Sequence, residues 1–368
     1  MQDLRIEKLA DMLVNYSVGV CPGEKVWIRG GVVAQDLLLE IYKKVLLAGG
    51  YPLLQPNLAP AQEILYKFAN EDQLKFISPT QKLMIETCDC SINILADENT
   101  KALSNIDPQK MVIVSQAQKD LFATFLERAA KKEFRWTLAQ YPTNAHAQDA
   151  EMSFTEYADF VFNAMMPNLE DPVGYWKEIS GQQEKIVEWL EGKNSIHILG
   201  PETDLRLSLK GRSFINCDCH VNVPDGEVFT GPVEDSLEGH VYYSYPAIHS
   251  GREVSGIRLW FEKGKVVKAT AEKNEEFLLK TLETDEGARY VGEFAIGTNH
   301  GITKFTRNIL FDEKIGGSFH MALGSSYPET GGRNQSAIHW DMICDLRDGG
   351  EIWVDDVILY KNGQFVVF

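Results

Sequence analysis

Lys25-Val-Trp-Ile-Arg29 is followed by Gly30-Gly31, by a helix-patterned stretch over about Ala34 to Ala48, and by Gly49-Gly50 ahead of Tyr51-Pro-Leu-Leu54. A short apolar strand, a glycine turn, a helix and a second strand make one β-α-β unit. That unit decides the class of the first half of the chain. Upstream, Ile6, Leu9, Leu13 and Tyr16 are spaced to share one helical face, and Cys21-Pro-Gly-Glu-Lys25 breaks the helix. Downstream, apolar runs at Ile92–Ala96, Met111–Ser115 and Trp136–Ala139 alternate with helical segments, the pattern of a mostly parallel α/β sheet. Helical patterns continue through Phe154–Met166 and Pro172–Leu190, after which Glu191-Gly192-Lys193-Asn194 reads as a linker. The expected division is an α/β domain over residues 1–192 and a second domain over 193–368.

The second half changes character. Ile257–Glu262 and Val266–Ala271 flank a Lys263-Gly264-Lys265 turn, and Val354–Tyr360 meets Phe365–Phe368 through Lys361-Asn362-Gly363. Asn-Gly between apolar strands is a strong hairpin signal. With one helix near Glu275–Leu282, this half reads as α+β with mixed or antiparallel strands.

Composition narrows the function. The chain has 368 residues, 44% hydrophobic and 24% charged, which is ordinary globular composition and suits two domains. Lys and Arg total 36 against 53 Asp and Glu, a formal net charge of −17. A surface so negative repels phosphate backbones and anionic lipids, so neither nucleic acid nor a membrane is an expected partner. The charged start, Met1-Gln-Asp-Leu-Arg-Ile-Glu-Lys, lacks the apolar core of a signal peptide, and no stretch approaches the roughly 20 apolar residues of a membrane span. Six Cys make no disulfide framework at this length. The expected setting is the cytoplasm.

Several motifs compete for the chemistry. Gly30-Gly31 stands where a phosphate loop would, yet neither G-x-G-x-x-G nor G-x-x-x-x-G-K-[ST] is present, so a plain strand-to-helix turn is expected and no nucleotide cofactor. Cys88-Asp-Cys90 and Cys217-Asp-Cys219-His220 resemble soft-metal ligands without zinc-knuckle spacing; each pair could equally be two buried residues on one strand face. Around Ser336-Ala-Ile-His-Trp-Asp-Met-Ile-Cys344 the strand period of two points Ile338, Trp340, Met342 and Cys344 one way, and His339 and Asp341 the other. A rigid strand presents two metal ligands in this manner, although a His–Asp hydrogen bond on a solvated face has the same pattern. His320 and Tyr327 flank a Gly/Ser-rich loop, Glu227 opens an apolar strand, and Glu293 is a charge inside a buried-looking run. A buried lone carboxylate costs several kcal/mol unless a cation compensates it. The oxygen and nitrogen donors of this set suit zinc, cobalt or manganese. His240, His249 and His300 lie in the same half and read as structural or surface residues.

Taken in order, Gly200-Pro-Glu-Thr-Asp-Leu-Arg-Leu-Ser-Leu-Lys-Gly, Pro224-Asp-Gly-Glu-Val-Phe-Thr, Gly292-Glu-Phe-Ala-Ile-Gly-Thr-Asn, His320 with Tyr327, and His339-Trp-Asp341 resemble the thermophilic-type metallo-aminopeptidases. This is the family of aminopeptidase T, aminopeptidase S and PepS. The resemblance implies a metal site of Glu227, Glu293, His320, Tyr327, His339 and Asp341, with Glu293 and Tyr327 in catalytic roles. It also implies two divalent ions, peptide substrates with a free N-terminus, and a homodimer. A metal-dependent dipeptidase or amidase, or a metal-binding relative without activity, would share these residues.

Overall fold

In the computed structural model, which describes residues 3–249 and 251–367, the Lys25–Gly31 strand pairs in parallel with Tyr51–Asn57 on one side and Cys90–Leu95 on the other. Met1 and Gln2 of the charged N-terminal stretch, and Phe368 of the expected last strand, lie outside the described residues. The described residues divide into two compact units. One runs up to Tyr175 and includes Cys219–Pro224; the other comprises Trp176–Asp218 and the chain from Asp225 onward. Glu191-Gly192-Lys193-Asn194, read as a linker, is the turn between the Pro172–Leu190 helix and the Ser195–Gly200 strand in the second unit.

In the first unit the sheet order is Tyr51–Asn57, Lys25–Gly31, Cys90–Leu95, Arg135–Gln140 and Asn222–Val223, parallel throughout. Val26, Ile28, Ile92 and Ile94 are buried in it, and Leu37, Leu38, Ile41 and Val45 line the buried face of the Gln35–Leu47 helix. Two details differ from the sequence reading. Gly30 and Gly31 extend the first strand rather than making a turn: a Cβ on Gly31 would meet the Ala96 carbonyl at 2.8 Å. Met111–Ser115 is helical, within Pro108–Ala117, because the Asp107 carboxylate accepts from the Gln109 N–H and proline opens the first turn. A five-residue apolar run carries no period long enough to separate strand from helix.

The second unit stacks two sheets. Eight strands run in the order Lys265–Thr270, Ile257–Glu262, Glu238–Tyr243, Thr203–Ser208, Ser195–Gly200, Glu351–Val354, Val357–Lys361 and Gln364–Phe365. Five run in the order His339–Asp345, Ser318–Gly324, Val291–Gly297, Glu227–Thr230 and Ile215–Cys217. Every pairing between these strands is antiparallel. Of the alternatives that the sequence left open, the antiparallel one holds. The last hairpin is tighter than expected: Val354 belongs to the preceding strand, and Val357–Lys361 turns into Gln364–Phe365.

Between the sheets lies one core, with Ile198, Leu205, Val241, Leu259 and Ile352 from the larger and Val228, Phe294, Ile296, Phe319, Met321, Leu323, Trp340 and Met342 from the smaller. Those residues of the smaller sheet occupy one face at a period of two. The alternate residues, among them Glu227, Glu293, His320, His339 and Asp341, are therefore set on its other face.

Trp340 anchors the edge strand that carries two of them. It is 1% exposed, with its ring centroid 5.1 Å from His249 and 6.2 Å from Phe277. Trp340→Ala is expected to destabilise this unit by about 3–5 kcal/mol, readable as a lower denaturant midpoint in urea unfolding. Among the described residues no helix is long and apolar enough to cross a membrane.

Candidate metal centre

Register brings the candidate ligand side chains into rows. Glu293 and Asp341 both pair with Ala322 from opposite sides, so two carboxylates flank a methyl group. His320 pairs with Ala295 and His339 with Gly324. Small residues between the large polar ones give the side chains room to converge on a common point above the sheet.

All five converge. Glu293 Oε2 lies 3.1 Å from His339 Nε2, and its Oε1 lies 3.7 Å from His320 Nε2. Asp341 Oδ1 is 3.5 Å from His339 Nε2, and Glu227 Oε2 is 3.6 Å from His320 Nε2. Two groups of possible ligand atoms each lie within 4.8 Å of one another: Glu293, His339 and Asp341 in one, Glu313, His320 and Asp341 in the other. Asp341 is common to both. The Tyr327 ring meets His339 edge-on with centroids 5.2 Å apart. Exposure is graded, from Tyr327 at 39% and the His339 side chain at 28% to the His320 side chain at 1%. The centre therefore opens at Tyr327 and His339 and closes at Glu227 and His320.

Hydrogen bonds set the tautomer of both imidazoles. His320 Nδ1 donates to the Glu313 carbonyl at 2.7 Å and His339 Nδ1 to the Ser325 carbonyl at 2.9 Å. A carbonyl can only accept, so each Nδ1 carries a proton and each Nε2 is left facing the carboxylates, the nitrogen that would bind a metal on losing its own proton. Metal-binding imidazoles are oriented in this way. Two carboxylate oxygens complete the case, for Glu227 Oε2 and Asp341 Oδ1 are buried and have no hydrogen-bond partner. Such atoms are costly unless a cation faces them. The residues present fit a divalent metal.

Electrostatics agree. Burial pushes the Glu227 carboxyl up to about 8, against the pull of Lys314. Burial acts to lower the imidazoles, yet Glu293 and Glu227 carry His320 up to about 9, and Asp341 with Glu293 carries His339 up to about 12. Burial raises Glu293 and Asp341, but the two imidazoles beside Glu293, and His339 first beside Asp341, outweigh it and hold both below the ordinary carboxylate range. Carboxylates outnumber cations here. Burial first, and then the carboxylates, push the Tyr327 phenol well up, which keeps it protonated as a donor.

Comparisons with known proteins place the chain in a family. The pattern of the thermophilic metalloprotease family (M29) matches residues 2–365. The chain belongs to that family. Aminopeptidase T of Thermus aquaticus is 30% identical over 320 residues, covering 74% of this chain and 76% of the relative. Aminopeptidase 2 of Geobacillus stearothermophilus is 25% identical over 387 residues, covering 93% and 92%. The solved structure of wild-type AmpT from Thermus thermophilus superposes with a TM-score of 0.86 at 25% identity, over 99% of each chain. The chain is thus a metallo-aminopeptidase with divalent metal as its cofactor, and the resemblance first carried by residues 200–341 extends to the N-terminal unit.

Some residues of the centre escape sequence reasoning. Glu313 and Lys314 follow the short Ile309–Asp312 helix; Lys314 is fully buried and bonded to Glu313. Their only signal is a charged triplet, Asp312-Glu313-Lys314, between Phe311 and Ile315, which usually marks a solvated turn. Cys217, Asp225 and Glu227 also have ligand atoms within 4.8 Å of one another. The strand stops at Cys217, and Cys219 has a φ of 71°, so the two are not alternate residues of a strand. Cys88 caps a helix and Cys90 opens a strand, both buried, and among the described residues neither belongs to a group of three ligands. His240 stacks on Trp260, His249 packs on Trp340, and His300 lies against Gly316.

Proposed function

We propose that the chain releases N-terminal residues from peptides with a free amino terminus, with two divalent ions held by Glu227, Glu293, His320, Tyr327, His339 and Asp341. The observation that carries this is the pair of imidazoles fixed through Nδ1, each aiming Nε2 at a carboxylate that lacks enough hydrogen bonds to explain its burial. Zinc, cobalt or manganese suits these donors. When bound, such ions lower the pKa of a water and polarise the scissile carbonyl.

The protein groups divide the remaining work. Asp341, common to both ligand groups, spans them. Glu293 faces both imidazoles and takes the proton of the attacking water on a carboxylate oxygen, then returns it to the leaving amine. Tyr327, held protonated at the open side, donates its hydroxyl to the oxyanion of the tetrahedral intermediate. The substrate ammonium enters a site rich in carboxylates, which favours a free N-terminus over a blocked one. The same reading includes a homodimer and a cytoplasmic setting.

Acetylating the substrate tests this selectivity. Leu-Gly-Gly is expected to be cleaved and N-acetyl-Leu-Gly-Gly to survive, followed by chromatography of the products. Equal rates on both would transfer the protein to the amidases.

A further inference from the structure

Among the described residues Lys314 is the only buried lysine or arginine, with 0% of its side chain exposed. Burying an ammonium is costly unless several acceptors surround it. The turn that carries it is pinned in place. Asp312 accepts from Thr306 N at 2.7 Å and Thr306 Oγ1 at 2.9 Å, and the Asn299 N–H donates to the Lys314 carbonyl at 3.1 Å. Gly297 lets the turn approach, since a Cβ there would stand 2.3 Å from the Ile315 carbonyl.

The ammonium divides each neighbouring carboxylate into two halves. It bonds Glu313 Oε1 and lies 4.0 Å from Glu227 Oε1. Glu227 Oε2 is left without a hydrogen bond and faces His320 Nε2 at 3.6 Å. Charge leads to the same place. Glu227, Glu293, Glu313, Asp341 and the buried Asp225 put five carboxylates around the centre. Two divalent ions supply four positive charges, and Lys314 supplies a fifth.

We propose that Lys314 is a positioning residue of the metal centre, a built-in cation that holds Glu227 and Glu313 by one oxygen each and completes the charge balance for two divalent ions. This rests on the two-ion reading above. Without the ammonium, Glu227 is free to rotate and one buried carboxylate stays uncompensated, so the ion on the Glu227 and His320 side is held less well. The first ion, at Glu293, His339 and Asp341, is affected little.

Cobalt(II) titration of the metal-stripped full-length protein, followed by its visible d–d bands and by elemental analysis, tests the proposal. The wild type is expected to take two equivalents. Lys314→Met should take the first with unchanged bands and the second at least tenfold more weakly, with its far-UV circular dichroism unaltered. Adding Asp225→Asn, which removes one negative charge, should restore the second equivalent; this double variant also decides the matter if Lys314→Met alone does not fold. A wild type that takes one equivalent overturns the two-ion reading together with this inference. Two equivalents of wild-type affinity in Lys314→Met, or no recovery in the double variant, overturns the role of Lys314 alone.

Discussion

Glu293→Gln is expected to lower kcat on Leu-p-nitroanilide by about 10²–10⁴-fold, the range of a lost general base. The amide matches the carboxylate in size, and the Val291–Gly297 strand around it is buried at every residue, so the fold should be retained. What changes is the ability to accept a proton while facing both His320 and His339. KM should move by only a few-fold, because the neighbouring carboxylates Glu227 and Asp341 still attract the substrate ammonium. The comparison is steady-state kinetics of the two proteins loaded with the same metal, with circular dichroism as the check on folding. Turnover near the wild-type rate in a folded Glu293→Gln protein would remove Glu293 from the chemistry.

Stripping the metal should have an effect as large, on stability as well as rate. Exhaustive dialysis against a chelator is expected to abolish hydrolysis and to lower the unfolding midpoint of the second unit; cobalt, zinc or manganese should restore both. The physical reason is the crowd of buried acids. Among the described residues Glu227 Oε2 and Asp341 Oδ1 have no hydrogen-bond partner, and the cations that face these carboxylates are two imidazoles and one ammonium. A ligand that binds only the folded state at about a thousand times its Kd stabilises it by about 4 kcal/mol. Scanning calorimetry of the stripped and reloaded protein measures the difference. Full activity after removal of all metal, verified by elemental analysis, would sink the metal reading.

Much of this architecture was open to reading because its parts are local. The β-α-β unit at Lys25–Leu54 follows from apolar strand residues, glycines and helical spacing, and the parallel sheet follows from repeating that alternation. The Ile257–Glu262 hairpin follows from its turn. Met111–Ser115 misled because tertiary packing, and not an apolar run of five residues, decides between strand and helix.

The centre divides along the same line. His339 and Asp341 could be placed by themselves, since two residues apart on a strand share a face whatever the strand packs against. Glu227, Glu293, His320 and Tyr327 needed the family resemblance, because they come from separate strands and one loop, and only register sets them side by side. Glu313 and Lys314 needed the structure. A charged triplet after a short helix is ordinarily wet, and it becomes the floor of the centre here only because the backbone at Gly297 admits it. Strand period and turn chemistry thus settled which face of which element is polar. Which polar faces meet, which charges lose their water, and which cation answers them were settled by long-range packing, where the energies of burial outweigh any local preference.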